Sequence, residues 1–328
     1  MKARLSEICL HFILPPSAFI LAFHSCPSMF ESSYMIESTA LVTEGEFERE
    51  LRVGVELARR AGEAALEFYG GPLRVEHKEE FDEPVTQADR AVNELIVRRL
   101  REEFPADGVL AEESVDTAAR LTRERVWMVD PLDGTKGFIA GTGDFAVQIG
   151  LAVAGRSVLG VLYAPATDVL YWAARGHGSW VLRPTSEAEK TLKAERLRVS
   201  DETELARMRL AESRSHRGPR MDALVRALGV RAEVRIHSVG IKVGLLVERQ
   251  CDLYIHVSQK TKQWDTCAPE AVLAEAGGRM TDLWGEPLLY NSPDVLNRNG
   301  LVASNGASHD LVIRRIRPLL DEWGRTRV

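Results

Sequence analysis

Cysteine is scarce in this chain: Cys9, Cys26, Cys251 and Cys267 make up its four, and neither their spacing nor their density builds a disulfide scaffold or a paired-cysteine metal site. A reducing, cytoplasmic compartment is therefore expected. The eight histidines form no ligand-spaced cluster, which argues against zinc. Positive charge is in deficit, with 42 Lys and Arg against 48 Asp and Glu and a formal net charge of -6. Nothing suggests the basic face with which proteins engage nucleic acid, so any phosphate must be met locally. No apolar run reaches the ~18 residues of a membrane helix, and no internal repeat is present. No GxGxxG fingerprint occurs, so a dinucleotide-binding fold lacks support. What remains is an ordinary globular composition, 45% hydrophobic over 328 residues, enough for one large domain or two halves sharing a core.

Residues 1–45 differ from the rest. Lys2 and Arg4 precede an apolar stretch from Ile8 to Phe23 that Pro15 and Pro16 interrupt, with Met29 and Met35 downstream. This reads as a disordered leader or an over-long start outside the fold, a signal peptide being the alternative. From Glu46 to Tyr69, Phe47, Leu51, Val55, Ala58, Ala61, Ala65 and Phe68 recur at helical spacing until Gly70-Gly71, and a second helix is expected from Gln87 to Phe104. An edge strand at Arg74–His77 and a charged loop, Lys78 to Pro84, separate them; long polar loops beside active sites often serve as lids. Gly108–Glu113 and the run ending at Asp130 read as strands, and Phe145–Val153, Val158–Tyr163 and Val169–Ala174 follow as successive strands that fit an antiparallel sheet. A polar stretch from Arg183 to Glu195 marks a boundary between halves 46–184 and 185–328. In the second half strand and helix alternate, with strands near 208–211, 234–236, 252–257 and 279–282 and helices near 221–228, 241–249 and 266–276.

The chain is organised around Val126-Trp127-Met128-Val129-Asp130-Pro131-Leu132-Asp133-Gly134-Thr135-Lys136-Gly137-Phe138. An apolar run suited to a buried strand stops at an acidic turn, where Pro131 fixes φ and Asp133-Gly134 lets the backbone double back. Two carboxylates and the Leu132 carbonyl can then face one point, which is a hard-oxygen ligand set of the Mg²⁺ type, with the Gly134 and Thr135 amides beside it. Asp-Pro-Leu-Asp-Gly is equally good turn chemistry.

Val129 to Phe138 (VDPLDGTKGF) resembles the first signature of the inositol monophosphatase-like superfamily of Mg²⁺-dependent, lithium-sensitive phosphatases. Trp264-Asp265-Thr266-Cys267-Ala268-Pro269-Glu270, running on to Gly277-Gly278, resembles the second. The resemblance spans about residues 46–318 and is greatest to the 3'(2'),5'-bisphosphate nucleotidase branch. It implies a layered αβαβα sandwich, an α+β half joined to an α/β half, with two or three Mg²⁺ between them. Glu112, Asp130, the Leu132 carbonyl, Asp133 and Asp265 are the implied ligands. Four carboxylates sharing one site are stable near neutral pH chiefly when cations offset them. Asp265 also suits the N-cap of the following helix.

Thr86-Gln87-Ala88-Asp89 has the spacing of a capping box; the resemblance pairs Asp89 with Thr135 to take a proton from the attacking water. It also implies substrate contacts at Gly134, Thr135, Ser213, His216 and Lys242, although a histidine after a strand and a lysine opening a helix are equally at home in solvent. One departure favours a nucleotide. Inositol monophosphatases carry a ring-binding glutamate seven positions before the second-signature aspartate, where this chain has Ser258, with Lys260 and Lys262 beside it. The reaction implied is hydrolysis of a small phosphorylated substrate, most simply a nucleotide bisphosphate, with no nucleic-acid or membrane partner and with a homodimer allowed. An inositol or sugar phosphate is the alternative substrate, and a non-catalytic binding protein would require a ligand or base that is missing, whereas every expected position is filled.

Overall fold

The computed structural model describes residues 45–79, 81–184, 194–214 and 218–328. Within them α1 (Glu48–Leu66) leads to the hairpin β1 (Val75–His77) and β2 (Pro84–Thr86), then to α2 (Gln87–Glu103), β3 (Gly108–Ala111), β4 (Arg125–Asp133) and the short α3 (Thr135–Ile139). Strands β5 (Ala146–Val153), β6 (Arg156–Ala164), β7 (Val169–Ala174), β8 (Gly178–Leu182) and β9 (Glu195–Leu197) complete the first half. The second runs β10 (Arg209–Ser213), α4 (Pro219–Leu228), β11 (Ala232–Ile236), α5 (Val239–Val247), β12 (Leu253–His256), α6 (Gln263–Glu275), β13 (Arg279–Thr281), β14 (Leu301–Ser304) and α7 (His309–Glu322).

Strands β3 to β9 lie in chain order in a seven-stranded sheet, parallel only between β3 and β4. The other sheet has the order β11-β10-β12-β14-β13, parallel among β11, β10 and β12. The layers follow from which side chains are small. Helix α1 approaches one face of β6 through Gly54 and Gly62, where a Cβ at Gly62 would stand 2.4 Å from the Tyr163 ring. On the opposite face the cross-strand pair Gly150 and Gly160 admits the backbone of α6, and a Cβ at Gly160 would stand 2.2 Å from the Ala268 carbonyl oxygen. Helices α5 and α6 fill the space between the two sheets, with Val243, Leu246, Cys267, Val272 and Tyr254 in one core. Helices α4 and α7 cover the outer face of the second sheet through Met221, Leu224, Val312 and Ile316. The result is the expected αβαβα sandwich.

Several expectations shift in detail. The charged loop is closed on its far side by β2, which opens on Pro84 and carries one apolar residue besides it, so it shows no apolar run. Strands β8, β9 and β14 and helix α7 were not anticipated. The seven-stranded sheet takes β9 from beyond the boundary expected at 184/185, and residues 185–193 and the leader to residue 44 lie outside the described residues. Helix α6 begins three residues earlier than its periodicity implied, so Asp265 is inside its first turn instead of capping it; Lys262 is the N-cap. No helix among the described residues is long and apolar enough to cross a membrane.

Candidate active site

The cleft forms where chain direction changes. At the end of β4 the ladder with β5 breaks between Asp130 and Asp133, with Pro131 inside the break, so both aspartates stay buried at the sheet's end. Gly134 then takes φ 95°, and a Cβ there would stand 2.7 Å from the Asp144 carbonyl oxygen, which makes glycine obligatory. Glu112, just past β3, Asp130, Leu132, Asp133, Gly134, Thr135, Ser213 at the end of β10, Lys242 of α5, Lys260 and Asp265 all line this one cleft. His216 lies outside the described residues.

Asp89 is buried behind Thr135. Its Oδ2 accepts from Thr86 N (2.7 Å) and Thr86 Oγ1 (2.6 Å), and the Thr135 hydroxyl is 3.1 Å both from its Oδ1 and from the Leu132 carbonyl oxygen. The capping box and the link to Thr135 therefore coexist, one on each carboxylate oxygen. Burial raises the Asp89 pKa, opposed by the Thr86 hydrogen bonds.

Each cleft aspartate is anchored by donors on a single oxygen. Asp130 Oδ1 accepts from Leu132 N (3.0 Å), Asp265 Oδ2 from Lys262 N (2.7 Å), and Asp133 Oδ2 from Ser238 Oγ (2.6 Å) and Gly240 N (2.8 Å). Burial, followed by the charges of Glu112, Asp133 and Asp265, holds Asp130 well above the usual carboxylate range. Burial and then Glu112 do the same to Asp265. Burial also raises Asp133, with the Lys242 ammonium opposing it. Among the described residues no three His, Cys, Asp or Glu side chains are already arranged to hold a metal ion; Lys78 instead pairs with Glu112 (Nζ to Oε1, 2.6 Å) and with Glu113. The donor chemistry nonetheless fits a hard divalent cation, because mutually repelling buried carboxylates gain from positive charge among them.

The opposite wall is basic. Lys242 is only 1% exposed; its ammonium donates to the His237 carbonyl (3.0 Å) and lies 4.8 Å from the Tyr254 ring centroid. It is not the solvated lysine its position allowed. Burial pulls its pKa down to about 8, against support from Asp133, Asp144 and Asp265. Lys260 stands exposed at the rim over Phe81 (5.1 Å), and Lys262 Nζ reaches Glu83 (2.7 Å), so both lysines meet the charged loop between β1 and β2. Ser258 bonds His256 Nε2 through its hydroxyl (2.6 Å), and it is His256 that lines the cleft. Sequence reasoning missed Phe81, Lys136, His237, Tyr254 and His256 in the lining. Signals were available for most of them: Phe81 is in the lid-like charged loop, Lys136 in the organising stretch, and Tyr254 and His256 alternate at a strand end.

The inositol monophosphatase family pattern matches residues 47–320. The chain belongs to the inositol monophosphatase family. It is 37% identical over 238 residues to the 3'(2'),5'-bisphosphate nucleotidase CysQ of Salmonella typhimurium, covering 72% of this chain and 91% of that one. It is 33% identical over 271 residues to a histidinol-phosphatase of Mycobacterium tuberculosis, covering 81% and 97%. Among solved structures, CysQ from Bacteroides thetaiotaomicron superposes with a TM-score of 0.67 at 31% identity, covering 80% of this chain and 98% of that one. The protein is a phosphatase of this generally metal-dependent family, acting on a phosphorylated small molecule.

Proposed function

We propose that the protein is a Mg²⁺-dependent 3'(2'),5'-bisphosphate nucleotidase that converts 3'-phosphoadenosine 5'-phosphate to AMP and phosphate. The observation that carries this reading is a single cleft lined both by the carboxylates of Glu112, Asp130, Asp133 and Asp265 and by a buried ammonium, Lys242, whose hydrogen bond goes to a carbonyl and not to a carboxylate. A substrate with two phosphates uses both features. The similarity to CysQ nucleotidases supports the same choice.

In this reading Glu112, Asp130, Asp133, Asp265 and the Leu132 carbonyl hold two or three Mg²⁺. When bound, Mg²⁺ supplies charge that offsets the phosphate oxygens and the leaving alkoxide and lowers the pKa of a nearby water. With its proton given to Asp89 Oδ1 in preference to the equidistant Leu132 carbonyl, the Thr135 hydroxyl keeps lone pairs free to accept from water in the cleft it lines. It accepts the water's proton while passing its own to Asp89, whose burial strengthens it as a base. Water attacks phosphorus in line, with no phospho-enzyme. Gly134 and Thr135 face the scissile phosphate, while Ser213, Lys242, Lys260 and His216 receive the ribose and second phosphate.

The test is phosphate release from a panel of 3'-phosphoadenosine 5'-phosphate, 3'-AMP, inositol 1-phosphate, fructose 1,6-bisphosphate and histidinol phosphate. The bisphosphonucleoside should show the highest kcat/KM. Preference for histidinol phosphate or an inositol or sugar phosphate would install the second reading, which the relative named histidinol-phosphatase favours.

A further inference from the structure

Gln148 lies on β5 directly opposite Asp130 in the antiparallel register with β4, so the two side chains leave the sheet on the same face within reach of each other. The first turn of α5 closes over them. A Cβ at Gly240 would stand 3.4 Å from Gln148 Cδ and 3.5 Å from Asp133 Oδ2, which packs the amide among Asp130, Asp133 and that turn. Gln148 is 0% exposed, yet neither its Nε2 nor its Oε1 meets a hydrogen-bonding partner. A fully buried amide with neither atom satisfied works against the fold, and a methionine would fill the same volume without that cost. An explanation is therefore owed at the site and not in the core.

We propose that Gln148 is a positioning residue for the cation site: its amide N–H, which makes no hydrogen bond here, lies across the ladder from Asp130 and would close on that carboxylate so that one oxygen is held while the other faces a cation. This rests on the reading of Asp130 and Asp133 as cation ligands. Asp130 Oδ1 already accepts from Leu132 N (3.0 Å), and a single donor leaves the carboxylate free to swing about that bond; a second donor from across the ladder would remove the swing. The amide is neutral, so it adds no charge to a site already crowded with like charges. Carboxylates that ligate metals are themselves commonly hydrogen-bonded in this way, and losing such a partner weakens metal binding about 10- to 100-fold.

Gln148→Met removes both polar atoms at nearly constant volume. Mn²⁺ binding to the metal-free protein, followed by paramagnetic resonance, is measured together with the melting temperature of the same sample. The metal-free variant should melt at or above the wild type, because an unpartnered polar group gives way to an apolar one. Its Mn²⁺ dissociation constant should rise about 10- to 100-fold, and Gln148→Asn, which keeps an amide, should recover part of the loss. Unchanged Mn²⁺ affinity in Gln148→Met overturns the inference, as does a metal-free variant that melts well below wild type, since the amide would then be structural. Asp130→Asn separates the role of Gln148 from the cation site itself. If it binds Mn²⁺ normally, the cation-site reading itself fails; if it loses Mn²⁺ while Gln148→Met does not, only the role of Gln148 fails.

Discussion

Asp130, Asp133 and Asp265 are each pushed toward the neutral form by burial, and Asp130 and Asp265 also by their acidic neighbours, so in the absence of cations the cluster strains against its own charge. Asp130→Asn and Asp265→Asn relieve that repulsion while removing charge from the cation site. Both variants should melt no lower than wild type when metal-free, and metal-dependent phosphate release should fall on the order of 10³-fold; near wild-type turnover would sink the ligand assignment. Asp89 poses a subtler case because one oxygen caps α2 and the other meets Thr135. Asp89→Asn can keep the cap, since its carbonyl oxygen still accepts from Thr86, but its amide cannot take a proton. With Thr135→Ala it should lower kcat more than it raises KM. The double variant should be little worse than the slower single one, because the two groups act as one relay. Single losses that multiply in the double variant would argue for independent roles.

Helix starts are where this fold meets its site. Ser238 caps α5, accepting from Ile241 N (3.0 Å) while its hydroxyl donates to Asp133, and α6 begins with Asp265 bonded back to Lys262 N. Helix α7 is tied down differently. His309, its first residue and 0% exposed, bridges Thr281 of β13 and Ser304 of β14 through its two ring nitrogens, each 2.8 Å from a hydroxyl oxygen. Burial, reinforced by Arg279, pulls its pKa down to about 4. The unfolded chain binds this proton near 6.5 and the folded chain only near 4, so the stability His309 contributes is complete above about pH 6.5 and is lost as pH falls toward 4. The full loss is on the order of 3 kcal/mol. Chemical denaturation at a series of pH values should show this decline, and His309→Gln, neutral at every pH, should flatten that part of it. An unchanged acid limb in the variant would place the titration elsewhere.

At the scale of the molecule, the cleft joins the end of the first sheet to the inter-sheet helices, and under the proposed function the second half supplies the groups that would select the substrate. Lys242 is the sharpest case. Lys242→Met keeps the aliphatic stem and removes the charge, so kcat/KM for 3'-phosphoadenosine 5'-phosphate should drop about 10- to 150-fold, the worth of a charge-assisted hydrogen bond, while 3'-AMP is barely affected. Equal damage to both substrates would argue that Lys242 maintains the carboxylate cluster and not substrate choice. Sequence by itself determined a good deal here. The strand that stops at Asp130-Pro131-Leu132-Asp133-Gly134, the helix of Leu51, Val55 and Ala58 and the second signature are local patterns, and local patterns carry period, turn chemistry and family likeness. Strands β2 and β9 escaped notice because Pro84 opens one at the end of a charged loop and Glu195-Arg196 open the other at the end of a polar stretch, so neither shows an apolar run, and Asp265 slipped from cap to first turn because Gln263 and Trp264 give no periodic cue. Tertiary structure alone decided that Lys242 is buried rather than solvated, that Asp89 serves Thr86 and Thr135 with different oxygens, and that Gln148 lies across the ladder from Asp130 with its amide unsatisfied. These depend on which surfaces β4, β5 and α5 present to one another, and residues far apart in the chain acquire a common dielectric and a common set of partners only when those surfaces meet.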